Sequence, residues 1–350
     1  MVDTTGNLAN RSDESLGRNR LDTQVGGVVF DESLSPLDRD ASPPGLRRLT
    51  AMPISVADDE ITIPDEILRQ LKRKSASLNM LPAVAMQALE LSKNPDCSIT
   101  EFARVVERDV KLATDILSMA NSSIYSGALS VSSLHQAVVR LGLRQCKNLI
   151  YCSSLTSLMQ KMSTEDAAHR EQLWRHSFHT AVLALHFNHS CGIGFQGEEF
   201  TAGLMHDIGR TLLGVCLPER SLELDLLDYD GSPRLLVQER MLSGTDHCEL
   251  GAYFAEQNRL PPPLIESVRF HHEPTQSRLN LRLVSLTAAC DHMASYLQRH
   301  GGPDGYDPAE NSALLLLEDA GVPAVAKRFS SMHTVLMRNA QHDAEQMMRA

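Results

Sequence analysis

The sequence predicts an all-α protein, a multi-helix array with an N-terminal helical subdomain and a disordered N-terminal tail. After residue 60, apolar residues recur at intervals of three and four, which is the spacing of one face of an α-helix. Strict alternation of apolar and polar residues, the pattern of a half-buried strand, is almost absent. Aromatic residues, which are enriched in strands, make up only 5% of the chain. Packed helices are therefore favoured over a sheet.

The first 60 residues have the composition of a disordered tail. They are rich in Asp, Arg, Ser, Gly and Pro, as in SPLDRDASPPGLRR, and cannot bury enough apolar surface to offset the entropy lost on folding. A short partner-binding segment at GGVVF, Gly26–Phe30, is the alternative for part of this region. No basic segment followed by an apolar run is present here, so we expect no secretory signal.

Helix-start residues mark the first three helices. The first is predicted to begin at Pro64 and Asp65, where TIPDEILRQLKRK carries apolar residues at helical spacing. The second is predicted to begin at Leu81, with Pro82 in its first turn. Ser98, Thr100 and Glu101 are the capping candidates for the third, SITEFARVVERD.

Further helices are predicted downstream, separated by turn-rich segments. The helix in VSSLHQAVVRLGL should start at a serine cap and end at Gly142. Turn-rich segments at 229–234 and 299–312 interrupt the second half. The last region, 313–350, is predicted to be a helical extension, either an appended packing element or a dimer helix. Four residues are predicted to share one face of VKLATDILSMANS: Val110, Ala113, Leu117 and Ala120.

Charge and cysteine content limit the class of protein. The formal net charge of −11 and the pI near 5.7 argue against a dedicated nucleic-acid binder and give no support for binding an anionic membrane surface. The seven cysteines form no C-x-x-C pair, which fits small buried thiols in a reducing cytosol better than a disulfide framework. No apolar run is long enough to span a bilayer. We therefore expect a cytoplasmic protein.

Candidate metal ligands concentrate in the second half of the chain, next to apolar helical residues. Charged residues are seldom fully buried unless they are paired or bind a metal. A lone histidine on an apolar face is more often a hydrogen-bonded core residue. A set of this size between positions 176 and 291 favours a metal site instead. The set comprises His176, His206, Asp207, His247, His271, His272 and Asp291.

Helical spacing places these residues at the ends of apolar stripes. His176 lies at helical spacing from Thr180 and Leu183, and Asp291 follows Ala288 by three positions. Imidazole and carboxylate ligands suit Fe, Mn, Zn or Mg better than the metals that thiolates select. Two such ions about 3.5–4 Å apart can clamp both oxygens of a displacement at phosphorus. Asp207 is the natural bridge between two metals, because the adjacent His206 can hold one of them.

Motifs around these residues resemble a known superfamily. HDIG, DHCELG and HHEP resemble the HD superfamily of metal-dependent phosphohydrolases. Upstream, ERDVKLATDILSMANSSIYSG and VSSLHQAVVRLGL are similar to the HDOD family, the HD-related output domain of bacterial signalling proteins. The resemblance covers residues 66–295, with 66–155 as an N-terminal helical half and 156–295 as an HD-like half. It implies a regulatory module in bacterial signal transduction.

The resemblance also implies a ligand set for two divalent ions (Fe, Mn or Zn). In active relatives of the HD and HD-GYP type, the matching positions hold metal, and all seven positions are filled here. One metal would be held by His176, His206, Asp207 and Asp291. The second would be held by Asp207, His247, His271 and His272.

Two departures from the active HD-GYP pattern affect the implied activity. Arg210 stands where that pattern has a lysine, and arginine lacks the compact ammonium of lysine. The GYP element after the paired histidines is missing, since DGY at Asp304–Tyr306 falls after Asp291. Asp207 and Arg210 are the candidate catalytic residues, but typical cyclic di-GMP hydrolysis is not expected.

Two functions from different classes follow. The first, which we favour, is a regulatory output module that binds a signalling protein partner or a small ligand and retains a structural or sensory metal site. The second is a metal-dependent phosphohydrolase acting on a nucleotide or another phosphoester. The complete ligand set favours the second function. The HDOD resemblance and the two departures favour the first.

Overall fold

The computed structural model describes residues 62–75, 81–94, 96–122, 124–125, 130–161, 167–224 and 234–349. All of them belong to one compact unit that covers residues 58–350. The predicted tail over 1–60, including the alternative binding segment at Gly26–Phe30, lies outside the described residues. Every regular element in the described ranges is a helix, and they contain no strand. The prediction of an all-α fold is confirmed.

The upstream helices begin close to the predicted positions. The first begins at Asp65, and the second begins at Ala83, one residue after Pro82, which serves as its N-cap. The Ser98 hydroxyl accepts a hydrogen bond from the backbone N–H of Glu101 at 3.1 Å, so the predicted cap of the third helix is confirmed. The bounds are α1 Asp65–Ser75, α2 Ala83–Leu91, α3 Ile99–Val106, α4 Val110–Ala120 and α5 Leu134–Lys161.

The predicted apolar face of α4 is buried only in part, since Ala113 and Leu117 pack against the core and Ala120 is buried. Val110 lies in the first turn of the helix and is 80% exposed. The apolar residues of α4 cover about half of its circumference, so spacing alone does not select which of them are buried. Packing against α5 makes the selection. The buried residues are Leu112, Ile116, Met119 and Ala120.

A break at Gly142 divides α5 where the sequence predicted a helix end. Gly142 has φ 80° and ψ 156°, a conformation that is essentially restricted to glycine. At the start of α5, the hydroxyl of Ser133 accepts from the backbone N–H of Gln136 at 3.2 Å. Both predictions for this helix are thus confirmed, and the chain changes direction within a single long element.

We expect Gly142→Ala to lower the free energy of unfolding by about 1–3 kcal/mol, because alanine is strained in this backbone conformation. A Cβ at this position would meet no atom within 4 Å, so the loss of stability would come from backbone strain and not from a steric clash. Urea unfolding measures it. Gly302→Ala, which also faces open space but at a φ open to other residues, is the control and should stay within about 0.5 kcal/mol of wild type. Equal stability of the two variants would contradict the assignment.

The remaining helices form the HD-like half and the C-terminal region. The gap predicted at 229–234 lies outside the described residues except for Arg234. Gly301, at φ 75°, ends the long helix that precedes the predicted 299–312 turns. The bounds are α6 Ala167–Cys191, α7 Glu198–Met205, α8 Ile208–Cys216, α9 Ser221–Leu224, α10 Arg234–Ser243, α11 His247–Gln257, α12 Pro262–Phe270, α13 Leu281–His300, α14 Ala313–Asp319, α15 Val325–Ser330 and α16 His333–Arg349.

The last helices pack onto the rest of the chain. Leu336, Met337 and Ala340 of α16 are buried, and α16 lies along α6. Both alternatives for 313–350, an appended packing element and a dimer helix, stay predictions.

Two hydrophobic clusters form the interior. One joins residues of α2–α7 and α13–α16, and the other joins residues of α1, α7–α9 and α11–α13. The histidines and aspartates of the predicted metal site lie on helices of both clusters. None of the described helices combines the length and apolar character needed to cross a bilayer.

Candidate metal centre

Five segments bring the seven predicted ligands together. His176 comes from the middle of α6, and Asp291 comes from α13. His206 and Asp207 form the turn between α7 and α8 rather than a step inside one helix. His247 is the first residue of α11. His271 and His272 follow the last residue of α12.

Asp207 lies at the centre and presents one oxygen to each side. Its Oδ2 is 3.5 Å from Nε2 of His206 and 3.7 Å from Nε2 of His176. Its Oδ1 is 3.4 Å from Nε2 of His247 and 3.5 Å from Nε2 of His271. Asp207 is the N-cap residue of α8, but its side chain makes no capping hydrogen bond. Its carboxylate is therefore available to both groups of histidines.

The first donor group consists of His176, His206 and Asp291, whose ligand atoms lie within 4.8 Å of one another. Oδ1 of Asp291 is 2.9 Å from Nε2 of His176 and 3.6 Å from Nε2 of His206. Nε2 of His206 is buried and makes no hydrogen bond. An imidazole nitrogen in this situation, with two carboxylates beside it, fits a bound cation.

The second donor group consists of His247, His271 and His272. Nε2 of His247 and Nε2 of His271 are 3.5 Å apart. The ring centroid of His272 is 4.3 Å from that of His271 and 5.1 Å from that of His247. The two donor groups, each completed by an oxygen of Asp207, are the two ligand sets that the sequence resemblance implied. The role of these residues as ligands stays a prediction.

Outer hydrogen bonds orient four of the histidine rings. In each ring Nδ1 makes a hydrogen bond. Nδ1 of His176 bonds to Oε1 of Gln298 at 3.2 Å. Nδ1 of His206 bonds to the backbone oxygen of Gly203 at 2.8 Å, and Nδ1 of His271 bonds to that of Val268 at 2.9 Å. In His247, a carboxylate oxygen of Glu239 accepts from Nδ1 at 2.8 Å. Donation from Nδ1 leaves the Nε2 lone pair directed at the centre, which is the tautomer that binds metal.

Glu239 is a positioning residue that the sequence analysis missed. It is buried on α10, and one carboxylate oxygen also accepts from the backbone N–H of His247 at 2.8 Å. Its carboxylate thus fixes both the backbone and the ring of His247. Glu239 lies in α10 and His247 begins α11, so no pattern within a single helix indicated this contact.

We expect Glu239→Gln to weaken metal binding by about 10–100-fold, the usual effect of removing an outer partner of a metal-bound histidine. The amide has only one acceptor oxygen for the two donors of His247. Competition titration against a chelator of known affinity measures the change. Glu249→Gln, a partly buried glutamate of α11 that pairs with Arg269, is the matched control. Equal affinities of the two variants would contradict a positioning role.

Electrostatics favour the cation-binding forms of Asp207, Asp291 and His272, but not those of His247 and His271. Burial would lower the pKa of both histidines, yet Cys248 and Glu239 raise that of His247, and Cys248 and Asp207 raise that of His271 to about 10. Burial alone would raise the pKa of Asp207, but the charges of His206 and Arg210 outweigh it and hold the pKa well below the ordinary value. Burial likewise opposes the low pKa of Asp291, which the neighbouring imidazoles of His176 and His206 maintain. Burial and neighbouring histidine charges lower the pKa of His272. Ionised carboxylates and a neutral imidazole are the metal-binding forms.

Arg210 contacts the bridging carboxylate directly. Its Nη1 donates to Oδ2 of Asp207 at 2.9 Å, and both side chains are buried. This is the oxygen that also faces the first donor group, so the guanidinium supplies positive charge on that side of Asp207. A catalytic role for Arg210 stays a prediction.

A close approach of α8 to α11 aligns Asp207 with His247. A Cβ on Gly209 would lie 1.8 Å from the backbone oxygen of His247 and 2.6 Å from its carbonyl carbon. Only glycine allows this contact between the backbones. Helix packing therefore explains the glycine of HDIG, which follows the ligand pair His206 and Asp207 in the motif.

Access to the donors is narrow. The ligand residues are buried except for His272, which is partly exposed, and Asp291, whose side chain is 12% exposed. A substrate would have to approach from the side of His272 and Asp291.

The family comparison agrees with the motifs. The HDOD domain model matches residues 78–274, more than half of the chain. The match lies inside the predicted range 66–295, while the outer limits of that range and its division after residue 155 stay predictions. A curated relative from Treponema pallidum (strain Nichols), an uncharacterized protein, is 29% identical over 215 residues, which are 59% of this chain. The matched region spans only 41% of that relative's length.

Solved structures share the fold. A candidate phosphohydrolase from Shewanella amazonensis SB2B has a TM-score of 0.59 at 22% identity, covering 80% of this chain and 98% of that one. A candidate signal transduction protein from Marinobacter aquaeolei VT8 has a TM-score of 0.55 at 20% identity, covering 82% of this chain and 68% of that one. These likenesses establish the fold and leave the activity open. On the match of its sequence to the family model, the chain belongs to the HDOD domain family.

Proposed function

We propose that the chain is a signal-transduction HDOD module that retains an HD-type metal centre as a structural or sensory site. The observation that carries this proposal is the burial of the donors behind a narrow approach, combined with the contact of Arg210 to Asp207. A centre closed in this way suits holding a cation better than processing a large phosphoester. The similarity of the fold to that of the candidate signal transduction protein from Marinobacter aquaeolei VT8 supports the regulatory function.

Each donor group has a part in this role. His176, His206 and Asp291 join α6, the α7–α8 turn and α13, while the second donor group joins α11 and the end of α12. A cation held by both groups would therefore tie together helices of both hydrophobic clusters. Binding to the folded state alone would stabilise it, so metal occupancy would be coupled to the arrangement of the module. The partner we expect is a signalling protein or a small ligand.

The alternative function is a metal-dependent phosphohydrolase acting on a nucleotide or another phosphoester. The division of the donors over the two oxygens of Asp207 favours it, because this arrangement suits two cations. When bound, two divalent ions would supply Lewis acidity and a charge clamp for phosphoryl oxygens. The chain's own residues would orient the site: Asp207 between the donor groups, and Arg210 holding that carboxylate in place.

Metal content and turnover separate the two functions. The protein is purified without chelator, and bound Fe, Mn and Zn are measured by plasma mass spectrometry. We expect stoichiometric metal and no hydrolysis of a panel of phosphodiesters and nucleotides under reducing conditions. Turnover that chelation abolishes would overturn the regulatory proposal in favour of the phosphohydrolase. Metal close to zero after reconstitution would contradict both functions.

We also propose that the protein works in the cytoplasm. All seven cysteines are free, and all but the partly exposed Cys97 are buried. Reduced thiols are typical of a cytosolic protein. Titration of the denatured, unreduced protein should find seven reactive thiols, and a smaller number due to disulfides would contradict this compartment.

A further inference from the structure

We infer that Cys248 is an additional metal ligand, which makes the second donor group a mixed thiolate–imidazole site suited to Zn(II). The inference deepens the proposed function, since it rests on a metal centre at these residues. The sequence analysis placed Cys248 among the small buried hydrophobic residues. Its position in the structure gives its sulfur a different role.

The sulfur lies among the donors of the second group. Sγ of Cys248 is 3.5 Å from Nε2 of His247, the same separation as between Nε2 of His247 and Nε2 of His271. It is also 3.9 Å from Nδ1 of His271, the ring nitrogen that donates to the Val268 carbonyl. One ligand atom from each of His247, Cys248, His271 and His272 can be chosen so that all four lie within 4.8 Å of one another.

These separations match the edges of a zinc site. Zn–S bonds of about 2.3 Å and Zn–N bonds of about 2.0–2.1 Å in a tetrahedron require ligand atoms roughly 3.3–3.7 Å apart. The 3.5 Å distances from His247 to Cys248 and to His271 fall within that range. Cys248 thus adds a sulfur donor to the three histidines of the second group, while Asp207 stays the ligand shared by both groups.

Cys248 is the second residue of α11, an 11-residue helix whose N-terminus is capped by Asp246, so its thiol lies in the same helical turn as His247. Cys290 is a useful contrast: it precedes Asp291 directly, yet it belongs to none of the donor groups formed by the described residues.

A thiolate changes which metal the second group selects. Soft sulfur favours Zn(II) and related borderline ions over Mg(II) and Mn(II), which prefer oxygen ligands. The first donor group has only nitrogen and oxygen donors. The two sides of Asp207 would then differ in metal preference, with Zn(II) held on the side of α11.

Cobalt substitution tests the inference directly. The full chain is stripped of metal and titrated with Co(II) alone. We expect a thiolate-to-cobalt charge-transfer band in the near ultraviolet for the wild type, and its loss in both Cys248→Ala and Cys248→Ser. Zn(II) affinity should fall at least about tenfold in both variants, since even an outer partner of a ligand contributes that much. Mn(II) affinity should change less.

Cys216→Ala is the matched control, because Cys216 is equally buried and lies in α8 outside the donor groups. It should keep the band. X-ray absorption at the zinc edge gives a second measurement on the unaltered protein, with a sulfur neighbour at about 2.3 Å. Co(II) binding without the band, or a zinc shell free of sulfur, would overturn the role of Cys248 while leaving the metal centre intact. Absence of any Co(II) or Zn(II) binding would instead overturn the proposed metal centre.

Discussion

Gly209→Ala is expected to disrupt the metal centre although Gly209 binds nothing itself. The new methyl group would lie 1.8 Å from the backbone oxygen of His247, so α8 and α11 would have to move apart. Overpacking of this kind costs about 1–3 kcal/mol of stability. Because Asp207 and His247 lie at the N-terminal ends of these helices, their separation should also weaken metal binding at least about tenfold. Urea unfolding and chelator competition measure the two effects.

The same helix provides the control. Gly214 also lies in α8, but a Cβ there would meet only the side chain of Ser221, at 3.7 Å. Gly214→Ala should raise stability by about 0.5–1 kcal/mol through better helix propensity and leave metal affinity unchanged. Similar behaviour of the two variants would contradict the close-approach role of Gly209.

Asp207→Asn is expected to abolish metal binding. Asp207 is the residue whose oxygens face both donor groups, and the amide has neither the charge nor the second acceptor. Bound metal should fall below about one-tenth of the wild-type content, because the loss of a shared ligand should exceed the 10–100-fold effect of an outer partner. Metal analysis of protein purified without chelator gives the result.

Thermal unfolding provides an independent measurement for this variant. A metal that binds only the folded state at 100 times its Kd adds about 2.7 kcal/mol of stability. Chelator should therefore lower the Tm of the wild type and have no effect on Asp207→Asn. Asp343→Asn is the control, since Asp343 lies outside the metal centre and pairs with His186, Oδ2 to Nε2, at 3.0 Å. This variant should respond to chelator like the wild type. A chelator response that survives in Asp207→Asn would refute the central position of this carboxylate.

Local signals in the sequence were sufficient for most helix starts. Ser98 and Ser133 cap the helices they were expected to cap, and Gly142 breaks α5 where its helix was expected to end. These features depend on interactions within a few residues, so they can be read along the chain. The buried face of α4 could not be read in this way. Its apolar residues were consistent with more than one face, and contact with α5 determined which one is buried.

The candidate ligands could be predicted for a different reason. Histidine and aspartate within apolar helices conflict with burial unless something compensates their polarity, so each of the seven positions is a visible exception. Their partners are not exceptions. Glu239 and Gln298 are ordinary polar residues in the sequence, and Cys248 is an ordinary small apolar one. Only their positions beside His247 and His176 in space give them a role.

The sequence by itself determined the helical fold, the family and the residues available for coordination, because helix periodicity, caps and motif order are properties of short segments. The tertiary structure decided how those residues combine. It placed the doublet His206–Asp207 in a turn, set one oxygen of Asp207 toward each donor group, and brought Arg210 and the thiol of Cys248 to the same centre. These contacts arise from the packing of α6, α8, α11 and α13, and distances across packed helices are not encoded in any one segment.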